Sequence, residues 1–153
     1  MLNQKRVVID LVSPQINCGD HSIKRVLDEI VNVQAHVLVD GHDVIAASVL
    51  YKHENERKWQ ESRMQEVGND EWNASFTVTK QGFYSYKVQG WVDHALNWQH
   101  GIGRKIDDNQ HVKSELLEGA ELIKPLLKKV SKTDTSYLEN LITWFQNDAD
   151  YDK

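Results

Sequence analysis

The chain has 153 residues, 40% of them hydrophobic and 27% charged, with a formal net charge of −5. That length suits one domain, or one domain plus an appendage, and is enough to bury a core without covalent staples. The acidic balance and scattered basic residues argue against a nucleic-acid partner, the lone Cys18 excludes an internal disulfide and a cysteine-based zinc site, and no apolar run is long enough to span a membrane.

Arg6 to Val12 reads as a strand with Val7, Ile9 and Leu11 on one face, ended at Ser13-Pro14 because proline has no donor for the ladder. Asn17 to Asp20 is turn chemistry built on Gly19. Ser22 to Leu27 fits either a short edge strand or one helical turn. Val31, Val33, Ala35, Val37 and Val39 then alternate with Asn32, Gln34, His36 and Leu38, a period of two that predicts a strand wet on most of one face. After Asp40-Gly41-His42-Asp43, the stretch Val44 to His53 is apolar on both faces as far as Leu50, which predicts a central strand. A polar hairpin near Glu54 to Arg57 leads to Trp59 and one weak strand from Glu61 to Val67. Trp72, Ala74, Phe76 and Val78 alternate with polar partners, and Phe83 to Val92 is a long aromatic strand after the Gln81-Gly82 turn. Short strands at regular spacing, separated by turn signals, predict an all-β sandwich.

The period changes near Asp93, which is placed to cap a helix from His94 through Trp98 towards Ile106. Gly101 and Gly103 weaken that helix by about 1 kcal/mol each relative to alanine. From Gln110 onward Val112, Leu116, Ile123, Leu127 and Val130 form one helical stripe, which Pro125 should kink or end. Ser131 to Asp134 reads as a loop, and Ser136 with Glu139 as a capping box. Leu138, Leu141, Ile142 and Phe145 make a second stripe with Trp144 beside it, before an acidic end from Asn147. Two amphipathic helices need a surface to cover them, so the economical reading is part of a helical bundle.

No set of reactive groups assembles. Asp40, His42 and Asp43 stand close together and offer a ligand or cation contact, but Asp-Gly is first a hairpin signal, and the turn is the preferred reading. The seven histidines are dispersed, without the i, i+4 pair of a helical metal site, and read as ordinary surface residues. Tyr84 and Tyr86 follow Gly82 at a strand start, where a tyrosine pins a sandwich corner through its hydroxyl. Of the five tryptophans, Trp72 shares parity with the core residues. Trp91 falls on the polar face as a glycan or partner contact, or else lies under the following helix, the reading preferred here. Glu115, Glu118 and Glu121 read as a solvated helical face. Leu-Asn-Gln-Lys-Arg after Met1 runs straight into a strand pattern, so no signal peptide is expected and the setting is cytoplasmic; the sequon Asn73-Ala74-Ser75 is then a chance match.

Several phrases, in order, resemble the N-terminal region of the bacterial α-1,4-glucan:maltose-1-phosphate maltosyltransferases of the α-amylase superfamily. They are Arg6-Val7-Val8-Ile9 with Pro14 after it, Lys24-Arg25-Val26, Asp40-Gly41-His42-Asp43, Asn69-Asp70-Glu71-Trp72, Gly82-Phe83-Tyr84-Ser85-Tyr86, Trp91-Val92-Asp93 and Glu115-Leu116-Leu117-Glu118-Gly119-Ala120. The resemblance covers roughly Arg6 to Ile123. It implies a mainly β fold: an immunoglobulin-like β-sandwich over residues 1–108, including the helix near 94–106, then the start of an inserted helical bundle over 109–153. The returning strand and a catalytic (β/α)₈ barrel would lie outside this sequence.

The implied whole enzyme is a retaining glycosyltransferase that moves maltosyl units from α-maltose 1-phosphate to an α-1,4-glucan. It would use two carboxyl groups about 5 Å apart at the ends of barrel strands. No catalytic residue is therefore assigned here, and neither a metal nor an organic cofactor is implied. This part would support a homodimer and pack on its own barrel. Asp40, His42, Asp43, Trp91 and Trp98 are the candidate contact residues, with no nucleic-acid or membrane partner expected. The alternatives are a free-standing carbohydrate-binding module of sandwich type and a plain interaction domain. A sandwich of about seven strands would be roughly one short, so an open strand edge is expected.

Overall fold

Alternation of apolar and polar side chains is realised as seven antiparallel strands in the computed structural model, which describes residues 6–147. The strands are β1 (Val7–Ser13), β2 (Ile30–Val39), β3 (Ile45–His53), β4 (Gln60–Arg63), β5 (Gln65–Gly68), β6 (Glu71–Thr77) and β7 (Tyr84–Val92). They form a four-stranded sheet ordered β1-β2-β6-β5 and a three-stranded sheet ordered β4-β3-β7. By contact the chain divides into two units, Met1–Val92 and Asp93–Lys153.

In the first unit the core lies between the sheets. Val31, Val33, Ala35 and Val37 of β2 meet Ala47 and Val49 of β3, with Trp72 and Phe76 of β6 closing the layer. Val33, Val37 and Val49 are wholly buried, each contributing roughly 1.5–3 kcal/mol of hydrophobic stabilisation. The odd positions of β2 point inward as the period of two requires, leaving Asn32, Gln34 and Leu38 exposed. Central β3 is paired on both sides and has four consecutive buried residues, Ala46 to Val49.

Two local expectations change. The single weak strand at 61–67 is two strands in different sheets. Met64, 2% exposed, sits at the crossing, and its N–H donates to the Ala47 carbonyl at 2.9 Å. An apolar residue flanked by polar ones looked like ordinary alternation, although it anchors a sheet change. The stretch 22–27 is neither strand nor helical turn; a short 3-10 turn at Asn17–Gly19 and an isolated bridge between Ile16 and His21 precede it.

The second unit holds α1 (His94–Asp107), α2 (Lys113–Ile123), a 3-10 segment (Lys124–Lys128) and α3 (Lys132–Gln146). Asp93 caps α1, its carboxylate accepting from Leu96 N at 3.1 Å. Pro125 falls in the 3-10 segment, which ends α2. The cap of α3 is Ser131, whose hydroxyl accepts from Asp134 N, so the helix starts five residues earlier than the expected Ser136 box would place it. Ser131-x-x-Asp134 satisfies the first-turn donors earlier. Ile102, Val112, Leu116, Ala120, Ile142 and Phe145 form the core of this unit, which α1 therefore joins. Val130, expected in the stripe, is 37% exposed.

Candidate functional site

The 40–43 connection joins β2 to β3. Gly41 has φ +104°, which an L side chain rarely adopts, so the Asp-Gly pair does serve as a turn. Asp43 is half-buried and forms an ion pair with Arg6 at 2.6 Å, while the same guanidinium approaches the Asp40 carbonyl at 3.4 Å. The loop is thereby tied to the start of β1, and His42 stays exposed. Among the described residues no group of three or more His, Cys, Asp or Glu side chains is placed to hold a metal.

Trp91 lies near the end of β7, paired with Ala46 one residue after β3 begins, so it stands beside the end of this loop. It shares the outer face of the three-stranded sheet with Lys87 and Gln89. The Arg63 guanidinium lies over its ring, 4.7 Å from the centroid, a cation–π contact that occupies the ring face. At the other end of this face Lys52 and Lys87 approach the Trp59 ring at 5.0 and 4.9 Å. Between them Ser48, fully buried, donates from Oγ to Glu61 Oε1 at 2.6 Å.

The start of β7 is pinned as a corner. The Tyr84 hydroxyl accepts from Thr79 N at 3.2 Å and Lys80 N at 3.1 Å. His53 braces the same turn. Its Nδ1 accepts from Asn55 N at 3.2 Å, and its Nε2 donates to the Gln81 carbonyl at 2.9 Å. Those partners fix the neutral Nε2–H tautomer. Gly82 fits because a Cβ there would come 2.5 Å from His53 Nε2. The Lys80 ammonium beside Glu56 holds that carboxyl below its ordinary value, and Glu56 holds Lys80 above its own. Tyr86 donates to the Pro14 carbonyl; burial pushes its phenol up, with Arg25 nearby opposing.

On its other side β7 pairs with no described strand. There Val12, Val31, Phe76, Tyr84, Tyr86 and Val88 open into a groove of about 850 Å³ facing the 14–25 loop. The groove thus reaches the margin of the sandwich core, though Val31 and Phe76 themselves remain buried.

Trp98 belongs to the helical unit. Its Nε1 donates to the Glu115 carbonyl at 2.5 Å, and its ring packs on Phe145 at 5.4 Å. Glu115 is not a freely solvated charge: Lys105 pairs with it and holds its carboxyl below the ordinary value. Of the five candidates, Asp40, His42 and Asp43 share one loop, Trp91 stands near the end of that loop through its pairing with Ala46, and Trp98 packs among the helices. His53, 2% exposed, corrects the reading of the histidines as surface residues; the turn signal directly after it, Glu54 to Arg57, is the one local clue. No helix among the described residues is long and apolar enough to cross a membrane.

A family profile described as α-1,4-glucan:maltose-1-phosphate maltosyltransferase, domain N/S, matches residues 5–152. Among curated proteins of that same enzyme name, the one from Methylacidiphilum infernorum is 38% identical over 120 residues, covering 78% of this chain and 18% of the relative. That from Chlorobaculum tepidum is 37% identical over 139 residues, covering 91% and 21%. That from Salinibacter ruber is 35% identical over 145 residues, covering 93% and 22%. The chain thus spans about a fifth of the length of the curated relatives it matches.

Proposed function

This chain belongs to the domain N/S family of α-1,4-glucan:maltose-1-phosphate maltosyltransferases, and from that premise we propose that it is the non-catalytic N-terminal part of such an enzyme. The observation that carries the reading is the family match along residues 5–152, set against coverage of only about a fifth of each relative. The whole enzyme would transfer maltosyl units from α-maltose 1-phosphate to an α-1,4-glucan with retention. Its paired carboxyl groups would sit on a barrel outside this sequence, in the cytoplasm.

Strand order supports an immunoglobulin-like sandwich for the first unit. β1-β2-β6-β5 corresponds to the A-B-E-D sheet and β4-β3-β7 to C′-C-F. Tyr84, at the start of the F-equivalent strand and bonded to backbone five residues upstream, matches the corner tyrosine of that fold. The position beside β7, where strand G would lie, has no described strand. In our reading the chain returns there after the helical insert, and this region also packs on the barrel and supports the homodimer. Asp40, His42, Asp43 and Trp91, grouped at one end of the sandwich, are the proposed contact residues; Trp98 acts there only by holding the helices together.

The test is a phosphate-release assay with α-maltose 1-phosphate and maltooligosaccharide. The chain alone is expected to release no phosphate, and a chain extended through a downstream barrel is expected to release it. Turnover by the 153 residues alone would overturn the reading.

A further inference from the structure

We propose that the outer face of the four-stranded sheet carries a groove that binds a neutral, polyhydroxylated chain, an α-glucan; the choice of glucan rests on the function proposed above. The groove measures about 450 Å³, within the range of about 300–1,000 Å³ typical of ligand sites. Its floor is four outward side chains in two directly paired rungs, Asn32 opposite Ser75 and Gln34 opposite Asn73. The strand period puts them there, because Val31, Val33, Ala35, Trp72 and Phe76 between them point into the core.

Gln65 extends the second rung, paired with Asn73 between β5 and β6, and Ser62 and Arg63 of β4 border it. The Arg63 guanidinium itself is engaged over Trp91 of the three-stranded sheet. Gln34 is oriented by the hydrogen bond from its Nε2 to Glu71 Oε1 at 3.2 Å. The amides of Asn32, Gln65 and Asn73 make no hydrogen bond to another described side chain or backbone group, so their donors and acceptors face the groove unspent.

The lining selects the class of ligand. It contains no carboxylate and no large apolar side chain, which disfavours a metal ion and an apolar molecule. A side-chain amide presents a donor and an acceptor together, the pattern that two adjacent hydroxyls of a sugar ring offer in return. A row of such amides on paired strands suits a chain of sugars. Its place on the four-stranded sheet keeps it separate from the open edge of β7.

The experiment is a titration of the ¹⁵N-labelled chain with maltoheptaose, followed by backbone and side-chain amide resonances. Saturable shifts are expected at residues 32–34, 63–65 and 73–75, including the side-chain amides of Asn32 and Asn73. Asn73→Ala and Gln65→Ala, at an exposed position, should each weaken binding about two- to tenfold, as loss of one or two hydrogen bonds would. Gln146→Ala in the helical unit should leave binding unchanged. Absence of saturable shifts, shifts confined to other surfaces, or affinity indifferent to both Asn73→Ala and Gln65→Ala overturns the groove. Those results would leave the enzyme-part reading intact, whereas turnover by this chain alone would overturn that reading and leave the groove standing.

Discussion

Gly119 in α2 should resist the substitution that helix propensity favours. Replacing an interior helical glycine by alanine ordinarily gains about 1 kcal/mol. Here a Cβ would come 2.4 Å from Trp98 Cζ2, 2.7 Å from Trp98 Cε2 and 3.0 Å from Phe145 Cε2. The indole has little freedom to yield, since its Nε1 is bonded to the Glu115 carbonyl and its ring rests on Phe145. Overpacking costs about 1–3 kcal/mol, and a broken Trp98 hydrogen bond adds about 0.5–1.5 kcal/mol. Gly119→Ala should therefore destabilise the helical unit by about 0.5–3.5 kcal/mol net. Gly101→Ala and Gly103→Ala are internal controls, because nothing lies within 4 Å of a Cβ at either; each should gain roughly 0.8–1 kcal/mol. Urea unfolding followed by far-ultraviolet circular dichroism, with hydrogen exchange on α2 and α3, measures all three. If Gly119→Ala stabilises the unit as much as the controls do, the packing argument is wrong.

Tyr84→Phe removes the acceptor of two backbone N–H groups and should cost the first unit about 1–2 kcal/mol; an unchanged urea midpoint would contradict that. Ser131→Ala removes the cap of α3 and should lose about 0.5–2 kcal/mol, with faster exchange in the first turn; slow exchange there would argue for a different start. Lys105 holds Glu115 below its ordinary value, so the pair's contribution is whole above the unfolded-state value of about 4.3 and is lost as pH falls through the lowered folded value. Acid titration of the helical unit should therefore show a loss of stability below about pH 4.3 that Lys105→Gln flattens, and a profile identical to the parent's would refute the pairing. Along β7, amides facing β3 should exchange slowly and those facing the open edge fast, in alternation; uniform protection from Tyr84 to Val92 in a dilute monomer would mean that the edge is covered.

The strands were legible because burial on one face imposes a period of two, as Val31 to Val37 and Trp72 to Phe76 demonstrate. The corner tyrosine was legible for a different reason: a glycine turn followed by Tyr at a strand start has few other uses. What escaped was information carried by distant partners. Met64 looks like one more alternating residue until Ala47 appears opposite it. The α3 cap was misplaced because Ser131-x-x-Asp134 and Ser136-x-x-Glu139 are both acceptable boxes, and only packing chooses between them. For the site, the Asp40–Asp43 turn was readable from Asp-Gly alone. The cation over Trp91 was not, since Arg63 sits 28 positions away, and the groove floor combines residues about 40 positions apart.

Met64 alone separates Arg63, in one sheet, from Gln65, in the other. The two layers of the sandwich are therefore geared together. A shift of one position in either β4 or β5 would reverse which side chains face inward, and with a single-residue joint the neighbouring strand has no slack to absorb it. Insertions that a longer loop would swallow would here desynchronise both layers at once, so this joint sets the phase of the whole first unit.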